Sequence, residues 1–118
     1  MEAAGKDLPT IEIEPGSREG VRILRVSGAL TLNNFFAFQE ATRAETVPIT
    51  LIDLKGVPYM DSAALGCIIS VHVACERTKR KYALVGVPAR LRSLFSMAGV
   101  DGMLICYPDA AEAEAALA

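Results

Sequence analysis

The chain has 118 residues, 52% of them hydrophobic and 22% charged, with a formal net charge of −2. That length fits a single domain, and so large an apolar share excludes a disordered chain. No uninterrupted apolar run of about 18 residues is present to cross a membrane as a helix, so no membrane partner is expected.

In chain order, "MEAAGKDLPT" lacks the basic-then-apolar pattern of a secretory signal, so the cytoplasm is the expected compartment. Residues 1–7 are expected to form a flexible N-terminus to a domain spanning 8–118. "TIEIE", Thr10–Glu14, alternates strictly and predicts a strand with one face in water. "VRILRVS", Val21–Ser27, alternates likewise after the turn signal "PGSREG", so the two predict a hairpin. After Gly28 and "LTLNN", apolar residues at Phe35, Phe38 and Ala41 predict a helix over Asn34–Glu45 behind an asparagine cap. "ITLIDL", Ile49–Leu54, is the branched apolar run of an interior strand.

From Ser62 to about Lys79, Leu65, Ile68, Ile69, His72 and Val73 make the apolar stripe of a long helix. "YALVGV", Tyr82–Val87, predicts a strand, and Pro88 opens a helix that Gly99 stops. "GMLICY", Gly102–Tyr107, predicts the last strand, and Asp109 caps a terminal helix, "AAEAEAALA". The order β-β-α-β-α-β-α-β-α predicts an α/β fold: one mixed sheet with an N-terminal hairpin, parallel crossovers and four helices. Right-handed crossovers place the helix-starting loops at the carboxyl ends of the parallel strands, where sites on such folds form.

The three cysteines, Cys67, Cys75 and Cys106, lie in apolar segments without CxxC spacing and are expected as reduced, buried thiols, with no metal site and no cofactor. The densest basic run, "ERTKRK", closes the long helix, where cations meet the helix dipole, and no aromatic residue is interleaved for base stacking. Direct nucleic acid binding is therefore not expected.

Asp61-Ser62 sets an acid beside a hydroxyl where a strand gives way to the long helix. A nucleophilic serine needs a base within hydrogen-bond reach. The single histidine, His72, lies ten residues along the same predicted helix, about 15 Å away at the helical rise. No G-x-S-x-G elbow or phosphate loop is present either, so no enzyme and no catalytic residue is expected. Helix capping would by itself explain the pair, and on physics alone it is the better account. Tyr59 and Met60, apolar residues in what is expected to be an exposed loop, suit a contact surface instead. Leu30, Thr31 and Asn33 precede a helix at the same edge, where turn geometry is the plain explanation. Arg90 and Arg92 are expected on a solvated helix face.

The run "ITLIDLKGVPYMDSAALGCI", with "VSGALT" upstream and "PARLRSLFSMAGVDGMLICY" downstream, resembles a STAS domain. As a free-standing chain it resembles bacterial anti-sigma factor antagonists. The resemblance implies that Ser62 is the phosphorylated residue, that Asp53 ends the central strand and supports the phosphorylation site, and that Leu30, Thr31, Asn33, Tyr59, Met60, Asp61 and Ser62 bind the partner. Asp53 has a plain alternative, bonding the amides of the loop after its strand. The family motif continues Ser/Thr-Gly-Leu-Gly, whereas this chain has Ala63 and Ala64 before Leu65-Gly66. The implied mechanism is partner switching: the unphosphorylated protein holds an anti-sigma factor serine kinase and frees a sigma factor, and phosphorylation ends the grip until a serine phosphatase restores it. A monomer or weak dimer is expected. The alternative is a scaffold, a non-phosphorylated STAS subunit of a stress-sensing or lipid-transport complex.

Overall fold

The computed structural model describes residues 9–44 and 47–117. The expectations for residues 1–7, for the start of the domain at residue 8, for the helix end at Glu45 and for Ala118 lie outside the described residues. Five strands, β1 (Thr10–Pro15), β2 (Val21–Ser27), β3 (Ile49–Gly56), β4 (Lys81–Val85) and β5 (Cys106–Tyr107), form one sheet in the order β1-β2-β3-β4-β5. Four helices, α1 (Phe36–Ala44), α2 (Ser62–Thr78), α3 (Ala89–Met97) and α4 (Ala110–Leu117), connect or follow them. β1 pairs antiparallel with β2, Thr10 opposite Ser27, and β2 through β5 are parallel, as the expected hairpin and crossovers require.

Alternation along the inner strands divides the core between two faces. Val26, Ile52, Leu54 and Leu84 meet Phe38 of α1, Leu65 and Ile68 of α2, and Leu91 and Phe95 of α3. Val21, Ile23, Leu51, Ala83 and Val85 face the other way, onto Ala113 of α4. The near-continuous apolar run of β3 follows from burial on both faces.

Three expectations need correction. The last strand does not start at Gly102: residues 101–103 are in turns, with the Met103 and Leu104 amides donating to Val100 O, and only Cys106 and Tyr107 pair with β4. Leu104 is buried, so the apolar signal there is core packing without strand pairing. Helix α1 starts at Phe36, because the Asn34 side chain turns back across its loop, its Oδ1 accepting the Thr31 amide at 2.8 Å and its Nδ2 donating to Ala29 O at 3.0 Å. On α2 the stripe holds at Leu65, Ile68 and His72, but Val73 is exposed.

Helix α2 ends where Lys79 enters the left-handed region at φ 61°, its amide donating to Cys75 O. His72 is a structural residue, as expected. Tyr82 Oη accepts the Ile105 amide at 3.3 Å and shares a hydrogen bond with His72 Nδ1 at 2.7 Å. Burial pushes the Tyr82 hydroxyl up to about 12, so it keeps its proton at neutral pH.

A buried carboxylate ties the chain's two ends together. Glu114 of α4 accepts the Ser17 hydroxyl at 2.7 Å and the Ser17 amide at 3.1 Å, while Arg18 donates to Glu114 O. The hydrogen bonds from Ser17, more than the nearby Arg18 charge, hold the Glu114 carboxyl below the usual carboxylate range. A lowered folded-state pKa stabilises the fold above the unfolded value, and that contribution is lost as the pH falls through the folded pKa. Glu114→Gln is therefore expected to melt below wild type at neutral pH, with the gap closing as the pH falls through the carboxylate range. A gap of constant size down to pH 3, measured by thermal melts, would show that the ionised form contributes nothing.

Candidate functional site

The site is built from two loops at the carboxyl ends of β2 and β3, stitched together beyond the regular sheet. A register shift between Arg25 and Ser27 ends the plain pairing of β2 with β3. Past it the strand-like contact continues: Gly28 N donates to Gly56 O at 2.9 Å, Leu30 N to Tyr59 O at 3.0 Å, and Asp61 N to Leu30 O at 3.1 Å. Leu30 and Met60 face each other as an isolated parallel bridge. The loop that starts α1 is thereby fixed against the loop that starts α2.

Asp61 occupies the N-cap of α2 with extended backbone angles, φ −100° and ψ −176°. Its Oδ1 accepts the amides of Ala63 and Ala64, both at 3.1 Å, satisfying first-turn donors that the helix leaves unpaired. Its Oδ2 accepts the Leu32 amide at 2.8 Å, a further tie between the loops. Ser62 is consequently the first helical residue and not the cap. Its side chain is exposed, and among the described residues its hydroxyl has no hydrogen-bond partner. The acid has taken the structural duty and left the hydroxyl facing solvent.

The structure separates the remaining candidates. Tyr59 is 47% exposed and Asn33 is exposed, beside Ser62 on the joined loops. Thr31 is half-buried and makes the turn, its carbonyl accepting the amides of Asn34 and Phe35. Met60 is 1% exposed and Leu30 is fully buried, so the exposed contact loop expected at Met60 is corrected. These two side chains pack into the core and support the surface from below. The bridge explains it: pairing turns Leu30 and Met60 inward together.

Asp53 also differs from expectation. Strand β3 runs on to Gly56, so Asp53 does not end it. Its position alternates with Ile52 and Leu54, which places it on the α4 face of the sheet, opposite α2. There its Oδ1 accepts the Lys55 amide at 2.9 Å and its Oδ2 lies 3.4 Å from Arg25 Nε. Arg25 in turn pairs with Glu14 at 3.1 Å. Holding the amide of the chain that follows is the plain role foreseen for it.

Three residues at this end were not singled out from the sequence. Leu32, 61% exposed, has its backbone amide held by Asp61, and Phe36, 60% exposed, stacks on Phe35 with ring centroids 4.8 Å apart. Two adjacent phenylalanines carried the signal, because a helix stripe through Phe35 and Phe38 has no inward place for Phe36. The third is Gly66, four residues after Ser62 and thus on the same helix face. It is exposed, and a Cβ built on it would meet nothing within 4 Å. Glycine inside a helix costs roughly 0.5–1 kcal/mol relative to alanine, and no close packing within the fold offsets it.

The capping geometry makes a prediction. Asp61→Ala is expected to lower stability by about 1 kcal/mol and to speed hydrogen exchange at the amides of Leu32, Ala63 and Ala64. Asp61→Asn keeps an acceptor for the cap but sets its NH2 against the Leu32 amide, so only Leu32 should exchange faster. An Asp61→Ala protein that melts with wild type would remove Asp61 from the cap.

Set beside known proteins, the chain shows a consistent likeness. No curated protein sequence matches it. Among solved structures it superposes on an anti-sigma factor antagonist from Mycobacterium paratuberculosis with a TM-score of 0.80 and 23% identity, covering 94% of this chain and 95% of that one. The Bacillus cell fate determinant SpoIIAA in its phosphorylated form gives a TM-score of 0.70 at 14% identity, covering 92% of this chain and 100% of that one. The murine anion transporter Slc26a9 gives 0.73 at 14% identity, over 94% of this chain but 22% of the transporter. At these identities the likeness is one of fold. A family model described as the STAS domain matches residues 12–113, from β1 through the Asp61–Ser62 turn into α4, and the chain accordingly belongs to the STAS domain family.

Proposed function

We propose that the chain is an anti-sigma factor antagonist whose grip on an anti-sigma factor serine kinase is ended by phosphorylation of Ser62. The observation that carries this reading is the division of labour at the start of α2: Asp61 supplies the cap and Ser62 presents an unengaged, exposed hydroxyl at the first helical position. Leu32, Phe36 and Tyr59, all exposed, give that end an apolar character suited to a protein partner. The antagonists among its structural neighbours support the partner class.

A phosphoserine brings about −1.5 to −2 charge. At Ser62 the first-turn amides of Ala63 and Ala64 are already bonded to Asp61, whose carboxylate repels a second anion. The phosphate therefore stands outward from the helix, in the plane where a partner would lie. The helix dipole tolerates it, so the fold survives while an apolar contact around it fails. A serine phosphatase would return the protein to its binding form. Asp53, across the sheet, holds the loop that follows it and contributes only through that loop.

Two expectations test the reading. The cognate kinase should add one phosphate, on Ser62; Ser62→Ala should abolish labelling yet bind the kinase, and Ser62→Asp should bind it more weakly without loss of melting temperature. Phosphopeptide mapping to Ser70, Ser93 or Ser96, or calorimetry giving equal affinity for all three proteins, would refute it. Gly66→Ala should raise stability by up to about 1 kcal/mol and weaken kinase binding, because the added methyl fills space left for the partner. Unchanged affinity in that variant would move the interface off this face of α2.

A further inference from the structure

We propose that the groove between α1 and α2, whose arginine-lined end is remote from Ser62, is a binding site for a single-chain anionic amphiphile, a fatty-acid-like carboxylate. The groove holds a cavity of about 450 Å³, within the usual size range of small-molecule sites. It runs along α2 from Cys67 to Arg77, and Arg77 is fifteen residues from Ser62, roughly 22 Å at the helical rise. The inference stands apart from the phosphorylation reading, and either can fail without the other.

Charge selects an anion. Arg43 from α1, Arg77 from α2 and Arg80 from the turn after it line the cavity, and among the described residues no carboxylate does. This concentration occurs in a chain whose net charge is −2. The arginine ion pairs of the described residues engage Arg18 and Arg25, and none engages Arg43 or Arg77. Planar guanidinium groups match a carboxylate in paired hydrogen bonds. The hydroxyls of Thr50 and Ser70 add neutral polar contacts.

The rest of the lining selects an alkyl chain over a nucleotide. Its apolar part is Cys67, Ile69, Val71, Val73, Ala74 and Cys75, without one aromatic ring on which a base could stack. Burial pushes the thiols of Cys67 and Cys75 up, so the floor stays uncharged near neutral pH. Val73, 48% exposed on a helix whose apolar stripe otherwise faces inward, is covered when the groove is filled. An aliphatic and thiol lining together with guanidinium groups fits an alkyl chain with a charged head.

Isothermal titration of decanoate, below its micelle concentration, into the full chain tests this. Decanoate is expected to bind saturably at one site. The double variant Arg43→Gln/Arg77→Gln, both exposed positions whose melting temperature checks the fold, should bind it at least about tenfold more weakly, the effect of losing a hydrogen bond to a charged group. Ala74→Phe should block it by filling the groove, and decan-1-ol, with the same chain and no charge, should bind less well than decanoate. No saturable binding of decanoate to wild type would overturn the proposal. So would equal affinity for decan-1-ol or for the arginine double variant, or tighter binding of ATP than of decanoate at this cavity, which would mark a polyanion site instead.

Discussion

One carboxylate organises the end of this molecule where α1 and α2 begin. Asp61 uses one oxygen to cap α2 and the other to hold the Leu32 amide, so a single side chain fixes where the long helix begins and where the loop leading to α1 lies against it. Removing either bond would loosen the relation between two loops that the sheet has already stopped controlling, since regular pairing of β2 and β3 breaks between Arg25 and Ser27. The buried pair Leu30 and Met60 supports the same junction from below. Surface and support are thus contributed by near neighbours in the same two segments: Leu30 in and Leu32 out, Met60 in and Tyr59 out.

The opposite face of the sheet follows a different logic. Glu14, Arg25 and Asp53 form a chain of charges beside the apolar patch under α4, and Glu114 anchors that helix to the hairpin turn. Exposed ion pairs such as Glu14–Arg25 contribute little, at most about 1 kcal/mol. The buried Glu114 is different, because a carboxylate removed from water needs its Ser17 donors to be tolerated at all. The buried carboxylates Asp53 and Glu114 thus both lie on the α4 side of the sheet, while exposed apolar residues, Leu32, Phe36 and Tyr59, stand near Ser62 at the start of α2.

Much of this was legible in the sequence because local signals agreed with the global fold. The alternation of "VRILRVS", the branched run "ITLIDL" and the Pro88 and Gly99 boundaries of α3 each predicted elements that formed within a residue or two. What could not be read depended on contacts distant in sequence. "GMLICY" carries a strand's composition, but Leu104 satisfies its apolar side chain by burial while its amide bonds back to Val100. Asn34 has the chemistry of a cap and uses it on Thr31, three residues upstream. Met60 reads as exposed only until Leu30 is known to pair with it across thirty residues. Glu114 sits in an alanine-rich helix where nothing local announces that Ser17 will bury it.

The departure from the family motif at Ala63 and Ala64 acquires a different meaning in three dimensions. Ala64 is fully buried, so its methyl points into the core and fills space that a glycine would leave open. It stiffens the first turn of α2 and adds nothing to the surface a partner meets. Gly66 keeps the family's second glycine, on the face that Ser62 shares, with open space where a side chain would stand. Of the two motif glycines, then, the one replaced in this chain lies where alanine serves packing, and the one retained lies on the exposed face of α2, where a Cβ would meet nothing within 4 Å. The sequence has firmed the helix beneath the serine without narrowing the approach to it.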